Sequence, residues 1–323
     1  MANLRHWFRV RRFRPSGPKL AAAGVTLILL CAADLGLTWT RFRPVIAALS
    51  TARPTETVYM RQAGASRPVG TPPWSDLDSV APAAACAVVA AEDFDFFEHG
   101  AFDWNAQSQL FRRVLRGDFS AGASSIAQQL ARNLFLGPDR TVRRKAREYV
   151  LAFALSRSLS KHRQLELYLN VIEWGPGVWG IDSASRYWFG KPPSALTPAE
   201  AALLASILPA PDRGLGYAAS TSARQAHQRI TDALWSAALV DGLGRSGTLA
   251  RVRRWADHVT NGVDPAEARA LVEREMGPEG AVTRSGYLKL DREGDECDQT
   301  RRWGAIRWQP LGAGKSRAHA IWR

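Results

Sequence analysis

Apolar residues form one long, nearly continuous stretch near the start of the chain, LAAAGVTLILLCAADLGLTW. A run of about 20 apolar residues is long enough to cross a bilayer as a helix. We therefore predict a transmembrane anchor at residues 20–40, with Asp34 near its far end. The alternative is a cleaved signal peptide, whose apolar core is usually shorter. Trp39, Arg41 and Arg43 resemble an interfacial anchor, which favours the transmembrane interpretation.

Beyond the anchor, residues 76–244 show apolar positions at helical spacing, short polar breaks and little strand pattern. We therefore predict a mainly α fold for this region. Its clearest helix start is TPAEAALLASILPAP, where Thr197 is the N-cap and Glu200 closes a capping box. Residues 41–75, rich in proline, are predicted to be a linker. Residues 245–323 are predicted to be a C-terminal tail of unknown role, which we expect to be partly disordered.

The positive charge is concentrated at the N-terminus, although the whole chain carries a formal net charge of +13. The cations that precede the first acidic residue are Arg5, Arg9, Arg11, Arg12, Arg14 and Lys19. A basic arm of this kind can bind nucleic acid or an anionic membrane. Because an apolar span separates the arm from the globular body, we predict no nucleic-acid partner. The arm is predicted to be a cytoplasmic tail, residues 1–19, with the catalytic body outside the membrane.

The chain contains three cysteines, Cys31, Cys86 and Cys297. They form no disulfide framework, so we predict that all three are free and that none is catalytic. Histidine and cysteine do not occur together at metal-ligand spacing, and no metal-ligating residue is predicted.

The first candidate for chemistry is the segment AVVAAEDFDFFEHGAFDW, where Glu92 and Asp93 end an apolar helix. A carboxylate at the negative end of a helix dipole is disfavoured, which tends to raise its pKa. A raised pKa suits a general base or general acid. A solvated helix end explains the same residues without chemistry, and His99 alone is more often structural than catalytic.

The second candidate is the segment GASSIAQQLARNLFLGPDRT, in which Ser124 or Ser125 can cap a helix. Ser125, Gln128, Gln129 and Arg132 share one helical face. A hydroxyl, two amides and a guanidinium group are suited to binding sugar and phosphate. A plain solvent-facing stripe is the alternative.

The third candidate is the segment DRTVRRKAREYVLAFALSRSL, in which Arg140, Arg144 and Glu148 recur every four residues with Lys145 beside them. An ordinary surface ladder would pair Arg144 with Glu148, although arginine followed by glutamate is the less favourable order. A cationic patch beside one carboxylate also suits a site from which a pyrophosphate departs.

With these motifs in order, residues 80–212 resemble the catalytic domain of glycosyltransferase family 51, specifically the monofunctional biosynthetic peptidoglycan transglycosylases. EDFDFFEHGAFD is similar to the family motif E-D-x-x-F-x-x-H-x-G-F-D. GASSIAQQLARNLF, RKARE and LYLNVIEWGPGVWGIDSASRYWFGK are similar to three further family motifs in the same order. Three positions depart from the pattern: the motif glycine is displaced by one residue in His99-Gly100-Ala101, Ala127 replaces serine or threonine, and Arg132 replaces lysine.

The resemblance implies a helical, lysozyme-like domain with a head lobe and a small jaw lobe beside the membrane, behind a single N-terminal transmembrane helix. The jaw would fall at residues 104–121, where apolar side chains mix with cations in a way that suits an anionic leaflet. An amphipathic core helix is the alternative interpretation of that segment. No second domain with a Ser-x-x-Lys nucleophile motif is recognised, and the C-terminal segment 245–323 is too short for a transpeptidase. We therefore expect a monofunctional enzyme without transpeptidase activity.

The resemblance also implies a reaction, in which lipid II is joined to a growing glycan strand with inversion and release of undecaprenyl pyrophosphate. Glu92 would be the catalytic base, and Glu148 would be the second catalytic glutamate. Substrate binding would fall to Ser124, Gln128, Gln129, Arg132, Asn133, Arg140, Arg144 and Lys145. A divalent cation, Mg²⁺ or Mn²⁺, would act at the pyrophosphate.

The partners expected from the resemblance are lipid II, the nascent strand, the membrane, and proteins of the divisome or elongation machinery. The expected location is the bacterial inner membrane, with one span, a cytoplasmic N-terminus and a periplasmic catalytic domain. Two rival functions remain: a lytic muramidase with Glu92 as general acid, and a non-catalytic scaffold that binds lipid II. The cations argue against the muramidase, and the retained Glu92 and Glu148 argue against the scaffold.

Overall fold

A computed structural model describes residues 17–64, 72–117, 124–236 and 244–276 of this chain. These residues form α1 (Gly17–Ala48), α2 (Val58–Gly64), α3 (Pro82–Glu92), α4 (Trp104–Leu115), α5 (Ile126–Ala131), a π-helical segment (Arg132–Leu136), α6 (Val142–Ser158), α7 (Lys161–Val171), α8 (Ile181–Phe189), α9 (Pro198–Ile207), α10 (Leu215–Ala218), α11 (Thr221–Ser236), α12 (Gly244–Thr260) and α13 (Pro265–Met276). Within these ranges there is no β-strand, and one isolated bridge pairs Glu173 with Trp179. The predicted mainly α fold is confirmed.

The centre of the core is α9, which packs against α3 and α11. Both α3 and α9 are rich in alanine and buried over nearly their whole length, so their backbones can approach closely. Thr197 caps α9 as predicted: its own N–H donates to Glu200 Oε2 at 2.8 Å, and its Oγ1 accepts from the Glu200 N–H. This central packing fixes the end of α3, where Glu92 lies.

The anchor helix α1 differs from the prediction in its length, because it continues beyond residue 40 to Ala48. Residues 20–33 are exposed on all sides, as a membrane span would be. Further along, one stripe of α1 packs against the domain, with Thr38 and Ile46 buried, and Leu49 directly after the helix is buried as well. Among the described residues, α1 is the one helix long and apolar enough to cross a membrane.

The two segments that flank the predicted catalytic domain are also more ordered than expected. Part of residues 41–75 completes α1 and forms α2, in which Met60 is buried, so this part is not a free linker. The first part of the predicted tail forms α12 and α13, and Trp255 packs on Phe189 with ring centroids 4.7 Å apart. The domain therefore extends to Met276. Residues 1–16 and 277–323, with the predictions made for them, lie outside the described residues.

The predicted jaw segment contains α4, and no residue of α4 is buried. Its apolar side chains are exposed, with Trp104 at 69% and Leu115 at 72%. The alternative of an amphipathic core helix is therefore wrong for α4. Phe119, which the prediction also placed in the jaw, lies outside the described residues.

The cysteines do not all behave as predicted. Cys31 on α1 is free and exposed. Cys86 on α3 is fully buried and disulfide-bonded, so the prediction of three free cysteines is wrong at this position. Cys297 lies outside the described residues.

Candidate active site

Glu92 is the last residue of α3 and lies at the edge of the core. Its Oε2 accepts a hydrogen bond from Gln129 Nε2 at 2.7 Å, and Gln129 Oε1 accepts one from the Tyr168 hydroxyl at 2.9 Å. Packing around the carboxyl group removes it from water, and this burial raises the pKa of Glu92 against the opposing effects of Gln129 and Arg132. The expected direction of the pKa shift is thus found, with burial rather than the helix dipole as its main cause.

The second candidate segment forms α5 and the π-helical segment that follows it. Ser125 is the N-cap: its Oγ accepts from the Gln128 N–H at 3.2 Å, and Gln128 Oε1 accepts from the Ser125 N–H at 3.0 Å. Gln128 is fully buried, and Gln129 and Arg132 are half-buried. The alternative of a solvent-facing stripe is therefore wrong. Gln128 is used in the capping box, whereas Gln129 bonds to Glu92 and the charge of Arg132 acts on it.

Asn133 also has an internal role in the structure. It is buried, and its Nδ2 donates to the backbone carbonyl of Gln129 at 2.9 Å. This bond occupies a carbonyl at the point where α5 passes into the π-helical segment. π-helical turns are frequent at functional sites, because they change the direction in which neighbouring side chains point.

The second carboxylate, Glu148, lies buried on α6 between two cations. Its Oε2 accepts from Arg144 Nη1 and its Oε1 from Lys145 Nζ. The Glu148 side chain is 3% exposed, so this is a buried cluster rather than the surface ladder considered above. Arg140 is not aligned with the cluster: α6 begins after the N-cap Thr141, and Arg140 lies exposed before it.

Ser124 connects the two carboxylates. Its backbone carbonyl accepts from Gln129 Nε2 at 3.3 Å, and its Oγ accepts from Lys145 Nζ at 3.1 Å. A continuous chain of contacts therefore runs from Glu92 through Gln129, Ser124 and Lys145 to Glu148. Residues from three separated motifs form one polar site in this way.

Asp93, next to Glu92, fixes the loop that follows α3. Its Oδ1 lies 2.6 Å from His99 Nε2, and its Oδ2 accepts from the Ile126 N–H at 2.9 Å. Burial opposes protonation of His99, but the hydrogen bond and negative charge of Asp93 outweigh it and raise the pKa of His99. Asp93 and His99 thus join the end of α3 to the start of α5, a structural role that keeps Glu92 near Gln129.

This pair predicts a pH-dependent contribution to stability. Because the pKa of His99 is raised in the folded state, the contribution is complete below the unfolded value of about 6.5 and is lost as pH rises through the folded value. We expect His99→Gln to lower the free energy of unfolding by about 1–2 kcal/mol at pH 5.5, and by less as pH increases. Denaturant unfolding between pH 5.5 and pH 8 measures this difference.

In an Asp93→Asn background this decrease of the difference with pH should disappear or reverse, because burial, which lowers the pKa of His99, is no longer opposed by the charge of Asp93. Lys161, whose pKa burial lowers to about 8, is present in all of these proteins, so its titration largely cancels in the comparison. In the protein that keeps Asp93, a difference that grows with pH would contradict the assignment.

The three departures from the motif pattern do not disturb this geometry. Ala101 is buried, and its backbone carbonyl accepts from Ser125 Oγ at 2.7 Å, so the displaced glycine still leaves α5 joined to the loop. Ala127 is buried, so a hydroxyl at this position would point into the core. Arg132 keeps the positive charge that acts on Glu92.

Two residues of the site were not among the predicted site residues. Tyr168, which the sequence pattern placed in the core, bonds to Gln129, and burial raises its pKa well above the ordinary value. Tyr149 bonds to Gln107 Oε1 at 2.9 Å on the side of α4. Its place in the LYLN motif could have identified Tyr168 as a site residue, whereas no feature of the sequence distinguished Tyr149.

The arrangement combines one partly buried carboxyl group of raised pKa, Glu92, with a group of cations. The described residues contain no group of three or more histidine, cysteine, aspartate or glutamate side chains that could hold a metal ion. Arg132 and Arg144 each have a buried Nε–H without an acceptor among the described residues. A buried donor without an acceptor is uncommon, which makes both guanidinium groups candidates for binding an anion.

The sequence of this chain is similar to those of several known proteins. A family model described as Transglycosylase matches residues 65–235. The "Biosynthetic peptidoglycan transglycosylase" of Rhodopseudomonas palustris is 42% identical over 196 residues, which cover 59% of this chain and 82% of that protein. The proteins of the same description from Nitrobacter winogradskyi and Azoarcus sp. are 45% and 50% identical, over 43% and 39% of this chain. The aligned part spans 62% and 54% of the length of those two relatives.

Proposed function

Because this chain belongs to the transglycosylase family, we propose that it is a peptidoglycan glycosyltransferase that polymerises lipid II into glycan strands. The observation that carries the proposal is the connected site. A carboxyl group of raised pKa, Glu92, is linked by hydrogen bonds through Gln129 and Ser124 to Lys145, and from there through Glu148 to Arg144. A base and a cationic group are the two components that transfer of a sugar from a pyrophosphate requires.

In the proposed reaction Glu92 takes the proton from the 4-hydroxyl of the acceptor sugar. That oxygen attacks the anomeric carbon of the donor, with inversion, while the bond from this carbon to the pyrophosphate oxygen breaks. The bonding electrons leave with undecaprenyl pyrophosphate, and the proton remains on Glu92. Gln129 orients the carboxylate, and Tyr168 in turn fixes the side chain of Gln129.

The departing pyrophosphate gains negative charge, which Arg132, Arg144 and Lys145 are placed to stabilise. Glu148 holds Arg144 and Lys145 side by side against their mutual repulsion. Its role in this proposal is to organise the cations. Arg140, exposed before α6, is proposed to meet the phosphates only when substrate is bound.

The described residues do not fit a dedicated divalent-cation site, because both carboxylates are already engaged and no group of three or more histidine, cysteine, aspartate or glutamate side chains is present among them. We assign the divalent cation expected from the sequence to the phosphate oxygens of the substrate. No step of the proposed mechanism depends on it.

We further propose that α1 anchors the protein in the inner membrane, with a cytoplasmic N-terminus and a periplasmic domain. The packing of Thr38, Ile46 and Leu49 against the domain supports an anchor that is retained, since a cleaved segment would leave these contacts unmade. The exposed apolar side chains of α4 support a further contact with the outer leaflet. Contacts with divisome or elongation proteins remain a prediction from the resemblance to glycosyltransferase family 51.

The function is tested by incubating the full chain with labelled lipid II in one reaction and with polymerised cell wall in another. We expect elongation of lipid II into strands and release of undecaprenyl pyrophosphate. Release of soluble fragments from cell wall without elongation would favour the muramidase. Binding of lipid II without any elongation would favour the scaffold.

Gln129→Leu should shift the acid limb of the pH profile of kcat/KM to higher pH. Glu92 acts as a base only when ionised, so activity falls as pH drops through its raised pKa. The hydrogen bond from Gln129 favours the ionised form, and its removal raises the pKa of Glu92 further. We expect a loss of about tenfold at neutral pH, partly recovered at higher pH. Gln225→Leu on the exposed face of α11 is the control, and an unshifted limb would contradict this role of Gln129.

A further inference from the structure

Asp34, on the anchor helix, forms ion pairs with the helix that carries the candidate active site. Its Oδ1 accepts from Arg143 Nη2 at 2.6 Å, and its Oδ2 accepts from Arg147 Nε at 3.0 Å, with a further bond from Arg147 Nη2. The Asp34 side chain is 19% exposed. A carboxylate in an apolar helix is costly in hydrocarbon unless it is paired, so this contact is expected to have a function.

The position of Asp34 along α1 places the contact in the outer part of the bilayer, on the side of the domain. If Leu20 marks the inner boundary, Asp34 lies about 14 residues or 21 Å further on, at 1.5 Å per residue. The hydrocarbon layer is about 30 Å thick, so Asp34 lies roughly 9 Å below the outer boundary. Arg143, whose side chain is 70% exposed, can extend from this depth towards the headgroups.

Two neighbouring faces of α6 contact different parts of the molecule, one the anchor helix and the other the candidate active site. Arg143 and Arg147 face α1, whereas Arg144 and Glu148, each one residue further and thus about 100° around the helix, belong to the site. The same two turns of α6 therefore hold the anchor on one face and the cations on the next. A displacement of α6 relative to α1 would displace the cations relative to the membrane.

We propose that Asp34 is a positioning residue for the transfer reaction. By holding Arg143 and Arg147 it fixes the depth of α6, so that the long side chains of Arg144 and Lys145 extend outward to the pyrophosphate of a membrane-embedded substrate. The inference rests on the proposed function, because it concerns the pyrophosphate of that substrate.

The rest of the α1 stripe keeps the anchor attached when Asp34 is changed. Thr38 and Ile46 are buried, and Phe42 packs on Phe135 with ring centroids 5.1 Å apart. Loss of the ion pairs should therefore alter the register between α1 and α6 without unfolding the domain.

The test compares full-length wild type with Asp34→Asn in two settings. One is proteoliposomes with lipid II of natural chain length, and the other is detergent solution with a water-soluble, short-chain lipid II analogue. In bilayers we expect kcat/KM to fall about 10- to 100-fold, as a misplaced site would give, with a change below about twofold in solution. Asp34→Glu, which keeps the charge, should restore most of the activity in bilayers.

Asp257→Asn is the matched control, since Asp257 also pairs with an arginine of another helix, Arg224, at 3.1 Å. It should leave both activities unchanged. An equal loss for Asp34→Asn in both settings, or no loss in bilayers, would overturn the positioning role. A wild type that fails to elongate either substrate would instead contradict the proposed function.

Discussion

Glu92→Gln should reduce the rate of lipid II elongation by at least about 10²- to 10⁴-fold, the contribution of general-base catalysis. Glutamine has nearly the same shape, and its carbonyl oxygen can still accept the hydrogen bond from Gln129, but it cannot take the proton of the incoming hydroxyl. The fold should be retained, because Glu92 lies half-buried at the end of α3 and forms no ion pair among the described residues. Elongation of fluorescently labelled lipid II, followed by separation of the strands by length, measures the loss.

Glu267→Gln is the matched control, because Glu267 is exposed on α13, on a helix that contributes no residue to the site. This variant should elongate lipid II at the wild-type rate. Elongation by Glu92→Gln within a factor of about ten of wild type would show that Glu92 is not the base.

Glu148→Gln should lower both stability and activity. The change leaves Arg144 and Lys145 adjacent and without their shared carboxylate, and removing one partner of a buried ion pair costs about 3–5 kcal/mol. Because the Lys145 side chain is 38% exposed, we expect a value near the lower end, about 3 kcal/mol. The displaced cations should also reduce elongation by about 10²-fold, since they would no longer meet the pyrophosphate correctly. Denaturant unfolding and the elongation rate per folded protein measure the two effects.

Glu166→Gln separates the two effects of this change. Glu166 pairs with Arg163 within α7 and accepts from the Leu77 N–H at 3.1 Å, but it is not part of the site. The Glu166→Gln variant should have a lower free energy of unfolding but the wild-type elongation rate per folded molecule. A Glu148→Gln protein that loses stability but keeps its rate would limit Glu148 to a structural role.

Much of the fold could be predicted from local pattern. The apolar stretch at residues 20–40 and the capping box at Thr197 each depend on neighbouring residues, and both appear in the structure as helices. The bounds were less accurate, because the end of α1 is determined by its packing on the domain. The same reason explains why α12 and α13 were missed, since their apolar faces are visible only against α8 and α9.

The site residues divide in a similar way. Helical spacing placed Ser125, Gln128, Gln129 and Arg132 on one face, but it could not show that Ser125 and Gln128 close a buried capping box. Four-residue spacing aligned Arg140 with Arg144, whereas the N-cap at Thr141 leaves Arg140 outside the helix.

The sequence by itself determined the motif order, the apolar span near the N-terminus, and the residues proposed to supply a base and cations. The tertiary structure alone decided how they cooperate. Glu92 and Glu148 lie on different helices, and Ser124, Gln129 and Lys145 connect them through contacts that no local pattern encodes. The pairing of Asp34 with Arg143 and Arg147 spans more than 100 positions of the chain. Local pattern reports which helix forms, but the approach of distant helices depends on the packing of the whole core.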